Sequence, residues 1–380
     1  MAAPWSGDVD QGGLEQVSRV DRVASLTGIR AVAALLVMAT HAAYGTGALN
    51  RGYLGLIFAR MEIGVAIFFV LSGFLLFNAW VRAVATGAVP PRVRRYARSR
   101  VRRIMPAYVV TVLLVYAVYE FRHITPNPGH TWHGLMRNLT LTQIYSANYI
   151  TAFMHQGLTQ MWSLAVEVAF YAALPVLAYL LLVTLCRRRW RPTVLLAGLA
   201  ALGALSPLWL VVMHTTEWLP NGAGLWLPHY LVWFVGGMTL SVLAHKGIRC
   251  YAVLAVPLAV VTYLVVATPI AGRTDAPALD LSEGVAKVLF YAAIATLVVA
   301  PLALGDTGWY SRILGSRPMV WLGEISYEIF LLHVVVMEIA LVSVLRWPVY
   351  TGSVVVLFAV TLAMTIPVAW LLHRWTRPRR

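Results

Sequence analysis

The chain has 380 residues, of which 60% are hydrophobic and 12% charged, against about a quarter charged in a soluble domain. With a mean hydropathy of +0.73 this excludes an ordinary soluble fold, and two cysteines, Cys186 and Cys250, offer neither a metal site nor a disulfide framework. A net charge of +15 raises the question of nucleic acid, but most arginines stand at the ends of apolar segments, so no nucleic-acid partner is expected.

Residues 1–24 are polar, contain Gly12 and Gly13, and lack the apolar core of a signal peptide. They read as a short disordered cytoplasmic tail. A spanning helix needs about 20 mostly apolar residues, and ten segments qualify: approximately 26–46, 61–80, 104–120, 161–186, 193–213, 224–244, 250–268, 284–304, 320–345 and 351–373. The expectation is an all-α polytopic membrane bundle of about ten helices. One membrane domain would cover 25–373, with a basic tail at 374–380. No internal repeat is visible, and the longest non-membrane stretch is 121–160.

The basic residues orient this map. With the N-terminus inside, alternate assignment puts 22 arginines and lysines on the cytoplasmic side and six on the outer side, while Arg30 and Lys287 fall within helices. Such an excess is the positive-inside pattern. Both termini are therefore predicted to be cytoplasmic.

Ionisable side chains inside membrane helices cost about 2.5–3.5 kcal/mol each on insertion scales and tend to mark function. In the first segment, "TGIRAVAALLVMATHA", Arg30 and His41 are eleven residues apart. At 3.6 residues per turn that is close to three turns, so both project from nearly one face, roughly 16 Å apart in rise. Depth counting brings Glu167, and His333 of the ninth segment, to the layer of His41; Ser326 shares a face with His333. A carboxylate beside a histidine can orient the ring and favour its charged form, so a His41–Glu167 pair could deprotonate a hydroxyl; the alternative is that each simply satisfies an interhelical hydrogen bond.

The run "RVRRYARSRVRRIMPAY", residues 92–108, carries seven arginines on the approach to the third segment. Topology anchoring against anionic lipid explains part of it. A seat for an anionic ligand explains it equally well, because guanidinium forks bind phosphates. In "FFVLSGFLL", Ser72 and Gly73 lie near the midplane, where a small pair serves close helix packing or leaves room for a threaded substrate. The 121–160 loop holds Arg122, His123, His130, Trp132, His133, Asn138, Gln143, Tyr145, Asn148 and His155. These suit a sugar or polyol surface or a capping loop, and the histidine spacing points to no metal.

Four stretches in order, Arg30–x10–His41, "FFVLSGFLL", "WSLAVEVAFY" and "ISYEIFLLHV", together with "RRIMPAY", resemble the acyltransferase-3 family of integral membrane O-acyltransferases. The resemblance covers most of the chain. It implies ten core helices, His41 as the essential catalytic residue, Glu167 as its counterpart in the fourth helix, and Arg30 on the donor side. It departs at Ala66, where relatives commonly carry an acid; Glu62 is near but not equivalent. A stand-alone member without a fused hydrolase-like domain is expected.

The resulting expectation is an O-acyltransferase moving an acyl group, acetyl by default, from cytosolic acyl-CoA to a hydroxyl of a carbohydrate, cell-envelope glycan, glycolipid or small molecule. His41 would be the general base with Glu167. Arg30, Arg98, Arg102, Arg103 and Ser72 would serve the donor, with Tyr171, Ser326, Tyr327 and His333 in support. No permanently bound cofactor is expected; acyl-CoA is a co-substrate, the bilayer is the surroundings, and a homodimer is left open. The alternatives are an exporter using His41, Glu167 and His333 as a proton relay, and a non-catalytic scaffold in which the polar residues only pack.

Overall fold

The structure, a computed structural model, describes residues 11–122, 126–146, 148–273 and 280–377, excepting the side chains of 11–22. His123 and the ends of both predicted tails lie outside the described residues. Helices run in the order α1 (Gln11–Gly45), α2 (Gly52–Arg60), α3 (Ile63–Thr86), α4 (Val93–Glu120), α5 (Trp132–Leu139) and α6 (Met161–Ala178). They continue as α7 (Pro192–Gly203), α8 (Leu205–Thr215), α9 (Leu227–His245), α10 (Ala252–Val266) and α11 (Leu281–Ala303). The last are α12 (Trp309–Leu314), α13 (Arg317–Glu324), α14 (Ser326–Ile339) and α15 (Val354–Thr376). Among the described residues there is no strand, and nine helices are long and apolar enough to cross a membrane. This is a multi-pass α-helical membrane bundle.

Four details differ from the sequence reading. Residues 11–24, read as tail, are helical and continuous with α1. The arginine-rich approach is no loop but the first three turns of α4, joined to the apolar part near Pro106, whose missing amide leaves the Arg102 carbonyl without its helical donor. The predicted 320–345 span is two helices, α13 and α14, broken at Ile325. The predicted 250–268 span is α10, with 15 residues. That is about 22 Å of helix, short of the roughly 30 Å hydrocarbon core.

The end of α10 has a physical cause. A 3-10 turn, Pro269–Ala271, follows it, with the Thr268 hydroxyl accepting from the Ile270 amide. The carbonyls thus left over are taken by Arg60, buried at 3% exposure. Its Nε donates to the Val266 carbonyl (3.0 Å) and its Nη2 to those of Ala271 (2.9 Å) and Gly272.

The core is organised by α3 and α9. A Cβ on Gly73 would stand 2.1 Å from the Phe234 carbonyl, and one on Gly237 would stand 1.9 Å from that of Val70, so the two backbones touch through their glycines. Phe234 then stacks on Phe69 (centroids 4.3 Å) and on Phe170 (4.0 Å), tying α3, α9 and α6 together. Outer helices present apolar side chains outward: Leu254 on α10 and Val355 on α15 are each 73% exposed. This is the polarity expected of a surface whose solvent is lipid.

Candidate active site

The inward faces of α1, α3, α4, α6, α13 and α14 enclose a cavity of about 330 Å³. Its polar lining includes Arg30 from α1, Ser72 from α3, Arg100 and Arg103 from α4, Glu167 and Tyr171 from α6, and Ser326 and Tyr327 from α14. Arg30, Arg100, Arg103, Glu324 and Tyr327 also line a wider vestibule of about 700 Å³, to which Arg95, Arg98 and Arg102 contribute. The two spaces share a wall of cations, so an anion seated in the vestibule lies at the mouth of the inner cavity. Three helical turns put arginines on the vestibule side at spacings of three and four residues, which a loop would not do.

Arg30 makes no hydrogen bond or ion pair with the described residues, so its donors face the cavity. Deeper in, Glu167 Oε1 accepts from the hydroxyls of Ser72 and Tyr171. Tyr171 is fixed in turn through its carbonyl, which accepts from Tyr96 (3.1 Å). Tyr327 donates to the Ile104 carbonyl (3.1 Å), pinning α14 to α4. Ser326 donates to the Gly323 carbonyl (2.8 Å) at the α13–α14 break. Phe68 and Phe330 also line the cavity, and their rings meet edge to face with centroids 6.3 Å apart.

His41 does not meet Glu167, contrary to the sequence reading. Depth counting fixes a residue's height but not which neighbour its helix face meets. Glu167 bonds to α3 and its own helix, while the ring of His41 lies edge-on to that of His333 from α14, with centroids 5.0 Å apart. The hydrogen bonds assign the tautomers. His41 Nδ1 is 2.8 Å from the Val37 carbonyl and therefore carries the proton. His333 Nδ1 likewise donates to the carbonyls of Phe330 (2.8 Å) and Ile329 (3.2 Å). His333 Nε2 is then an acceptor facing His41 Nδ1 at 3.4 Å. The result leaves His41 Nε2 as a lone-pair nitrogen on a ring held from its other side. Phe330, which lines the cavity, touches His333 at 5.9 Å.

Of the residues read from sequence, Arg30, Ser72, Arg103, Glu167, Tyr171, Ser326 and Tyr327 share the inner cavity, Arg98 and Arg102 stand in the vestibule, and His41 and His333 form a separate pair. Sequence reasoning held Arg100 only as one of the run's seven arginines and did not single it out, although it lines both spaces; its place three residues before Arg103 on one helix was the available signal. It also missed Phe68 and Phe330, which look like any apolar side chain.

The 121–160 loop is more inward than expected. Asn138 and Gln143 are buried; the Asn138 amide donates to the Gly134 carbonyl (2.9 Å). His155 is also buried, 3.1 Å from His130, and burial first, then that neighbouring imidazole, lowers its pKa to about 3. Trp132 remains exposed.

Residues 23–374 match the acyltransferase-3 family of acyltransferase domains. The chain is 29% identical over 345 residues to the acyltransferase MdmB of Streptomyces mycarofaciens, spanning 84% of this chain and 80% of that protein. It is 24% identical over 350 residues to the peptidoglycan O-acetyltransferase OatA of Listeria monocytogenes, spanning 84% of this chain but only 50% of that protein. No solved structure matches the chain. A family match across the membrane domain, joined to the buried polar site just described, makes this chain a multi-pass membrane acyltransferase that belongs to the acyltransferase-3 family.

Proposed function

We propose that the protein transfers an acyl group, acetyl by default, from acyl-CoA to a hydroxyl of a cell-envelope glycan or glycolipid, in the cell membrane and with both termini cytoplasmic. The observation that carries this reading is an arginine-walled vestibule that shares Arg30, Arg100 and Arg103 with an inner cavity, one of whose lining rings, Phe330, touches His333. The phosphates of the donor would sit on Arg98, Arg102 and Arg103, since guanidinium groups match phosphate oxygens with paired donors. The pantetheine arm would enter past Arg30. Glu167 Oε1 is already engaged by Ser72 and Tyr171, which leaves Oε2 to accept from an amide of that arm. This makes Glu167 a donor-side residue rather than the partner of the base.

In the reaction, His41 Nε2 takes the proton of the acceptor hydroxyl as its oxygen attacks the thioester carbonyl. The tetrahedral intermediate collapses with cleavage of the carbon–sulfur bond. The thiolate leaves with the proton returned from the imidazolium, giving an ester and free CoA. A base within hydrogen-bond reach contributes roughly 10²–10⁴-fold, so His41→Ala is expected to lower turnover by about that factor while the protein stays folded. The assay is thiol release from acetyl-CoA by purified protein in nanodiscs supplied with envelope extract, with the new ester located by mass spectrometry. Undiminished turnover in His41→Ala would sink the role of His41; no thiol release by the wild type would sink the donor.

A further inference from the structure

A second cavity, of about 280 Å³, lies at the other end of the bundle. It is built from the start of α3, the start of α6, the last turns of α8 and the first turns of α9 and α11. Each of these segments is at the opposite end of its helix from the arginine vestibule. Its lining is unlike that of the first. Trp162, Tyr230, Trp233 and Tyr291 form a chain of rings, with centroids 5.0, 4.8 and 5.8 Å apart in that order. Among the described residues that line it, the acidic and basic side chains other than His214 and His229 are Glu62 and Lys287, whose Oε1 and Nζ are 2.6 Å apart.

We propose that this cavity is the acceptor site and that it selects an uncharged ring polyol, with adjacent hydroxyls read by the Glu62–Lys287 pair and by His229. The inference rests on the acyl-transfer reading and adds to it the place and charge of the acceptor. Four observations carry it. First, a sugar ring has one face of C–H groups, which lies well on an aromatic ring, and the half-buried Trp162 offers one at the open end of the chain, with Tyr230 next to it and the buried Trp233 and Tyr291 beyond. Second, the ion pair cancels its own charge yet keeps both kinds of hydrogen-bonding group. Glu62 Oε1 is occupied by Lys287 and by the Tyr291 hydroxyl (3.0 Å), and Oε2 has no partner among the described residues. A vicinal diol could then donate to Oε2 and accept from a free Lys287 N–H, whereas a charged ligand would meet a like charge or disrupt the pair.

Third, His229 lines the cavity with its ring stacked on Tyr230 (4.4 Å), and its Nδ1 is buried with no hydrogen-bond partner among the described residues. A buried polar atom left without a partner costs about 1–3 kcal/mol, and a ligand hydroxyl would satisfy it. Fourth, the position suits transfer. Val65 lines both cavities, and Phe69, on the wall of the donor cavity, touches Trp233 at 5.8 Å. Donor and acceptor would thus approach one wall of α3 from opposite ends. The loop 121–160, the sequence-based candidate for a sugar surface, is not needed for this.

The test uses the full chain in nanodiscs of synthetic phospholipid, free of sugar detergents. Saturation-transfer NMR titrations would compare methyl α-D-glucopyranoside with two charged probes of similar size, glucosamine and glucuronate. The expected result is saturable binding of the neutral glycoside, about tenfold tighter than either charged sugar. His229→Phe, which keeps the stack on Tyr230, and Glu62→Gln are each expected to raise the Kd for the neutral glycoside about tenfold, equivalent to one lost hydrogen bond of about 1.4 kcal/mol. Equal binding by wild type and His229→Phe would overturn the proposal, as would preference for a charged probe. Acetyl-CoA consumption is followed in parallel. If the wild type consumes none yet binds the glycoside as described, the transfer reading fails and the polyol site stands; if consumption is normal and binding is indifferent to both variants, the pocket assignment alone fails.

Discussion

His41 and His333 are 292 residues apart in sequence, and each is chemically ordinary until its hydrogen bonds are counted. The Val37 and Phe330 carbonyls each take one Nδ1–H, so local backbone decides which nitrogen is left to act. On the proposed mechanism His333 is a positioning residue: it never meets substrate and works only by holding the ring of the base. His333→Phe keeps a ring in the site but removes the acceptor, and should lower kcat roughly 10–100-fold, the rate equivalent of about 1.4–2.7 kcal/mol. The KM for acetyl-CoA should stay within about twofold, because the vestibule is untouched. His333→Asn, which restores an acceptor oxygen, should recover part of the loss. Equal kcat in wild type and His333→Phe, or a change confined to KM, would remove this role. The residues themselves were legible in the sequence as ionisable groups in apolar helices; their pairing was not. Arg60 shows the same limit. It reads as one more outer-surface charge, while its partners, Val266 and Ala271, are over 200 positions away.

The order and nature of the helices were nearly all legible, because apolar length alone defines a membrane segment. What was not legible were the breaks within them. The α13–α14 break at Ile325 carries no proline; the Gly323, Glu324 and Ser326 around it were a weak signal, and what the sequence hides is that Gly323 lies against the Thr27 carbonyl of α1. Conversely, an arginine run looks like loop by hydropathy, yet arginine is a good helix former, and α4 continues straight through it. The "FFVLSGFLL" motif offered two readings, packing or substrate path, and the structure divides them between neighbours. Ser72 faces the cavity and bonds Glu167, while Gly73 faces α9. That contact sets a strict requirement on the facing glycine. In Gly237→Ala the new Cβ would sit 1.9 Å from the Val70 carbonyl and 2.5 Å from the Phe74 amide. Backbone cannot rotate away as a side chain can, so α3 and α9 must separate. Overpacking of this kind costs about 1–3 kcal/mol. A lowered thermal midpoint in nanodiscs should follow, with a loss of turnover that tracks the loss of folded protein. An unchanged midpoint would show that the helices are not held at this distance.

At the scale of the whole molecule the bundle is two-ended. Cations gather at one end around the larger opening, and aromatic rings with a self-neutralised ion pair gather at the other. Nothing in the sequence states this division outright, although the positive-inside bias anticipates it by placing most arginines on one side. A polar donor such as acyl-CoA cannot cross lipid, so on the proposed reading it must be offered to the arginine end, while the ester appears on an acceptor held at the far end. In proteoliposomes of known orientation, acetyl-CoA should support ester formation only from the side exposing 92–103. Added salt should raise its KM, since exposed charge pairs are screened within a Debye length of about 10 Å at 0.1 M. Replacing Arg98 and Arg102 together by glutamine should raise the KM for acetyl-CoA about tenfold, as each of these exposed charge contacts is worth up to about 1 kcal/mol. The kcat should change little, because both residues stand in the vestibule and neither lines the inner cavity. A lipid-anchoring role for the same arginines predicts a different outcome, namely altered insertion or orientation with KM unchanged. Equal turnover from either side of the membrane would rule out the two-ended arrangement, whatever the identity of the acceptor.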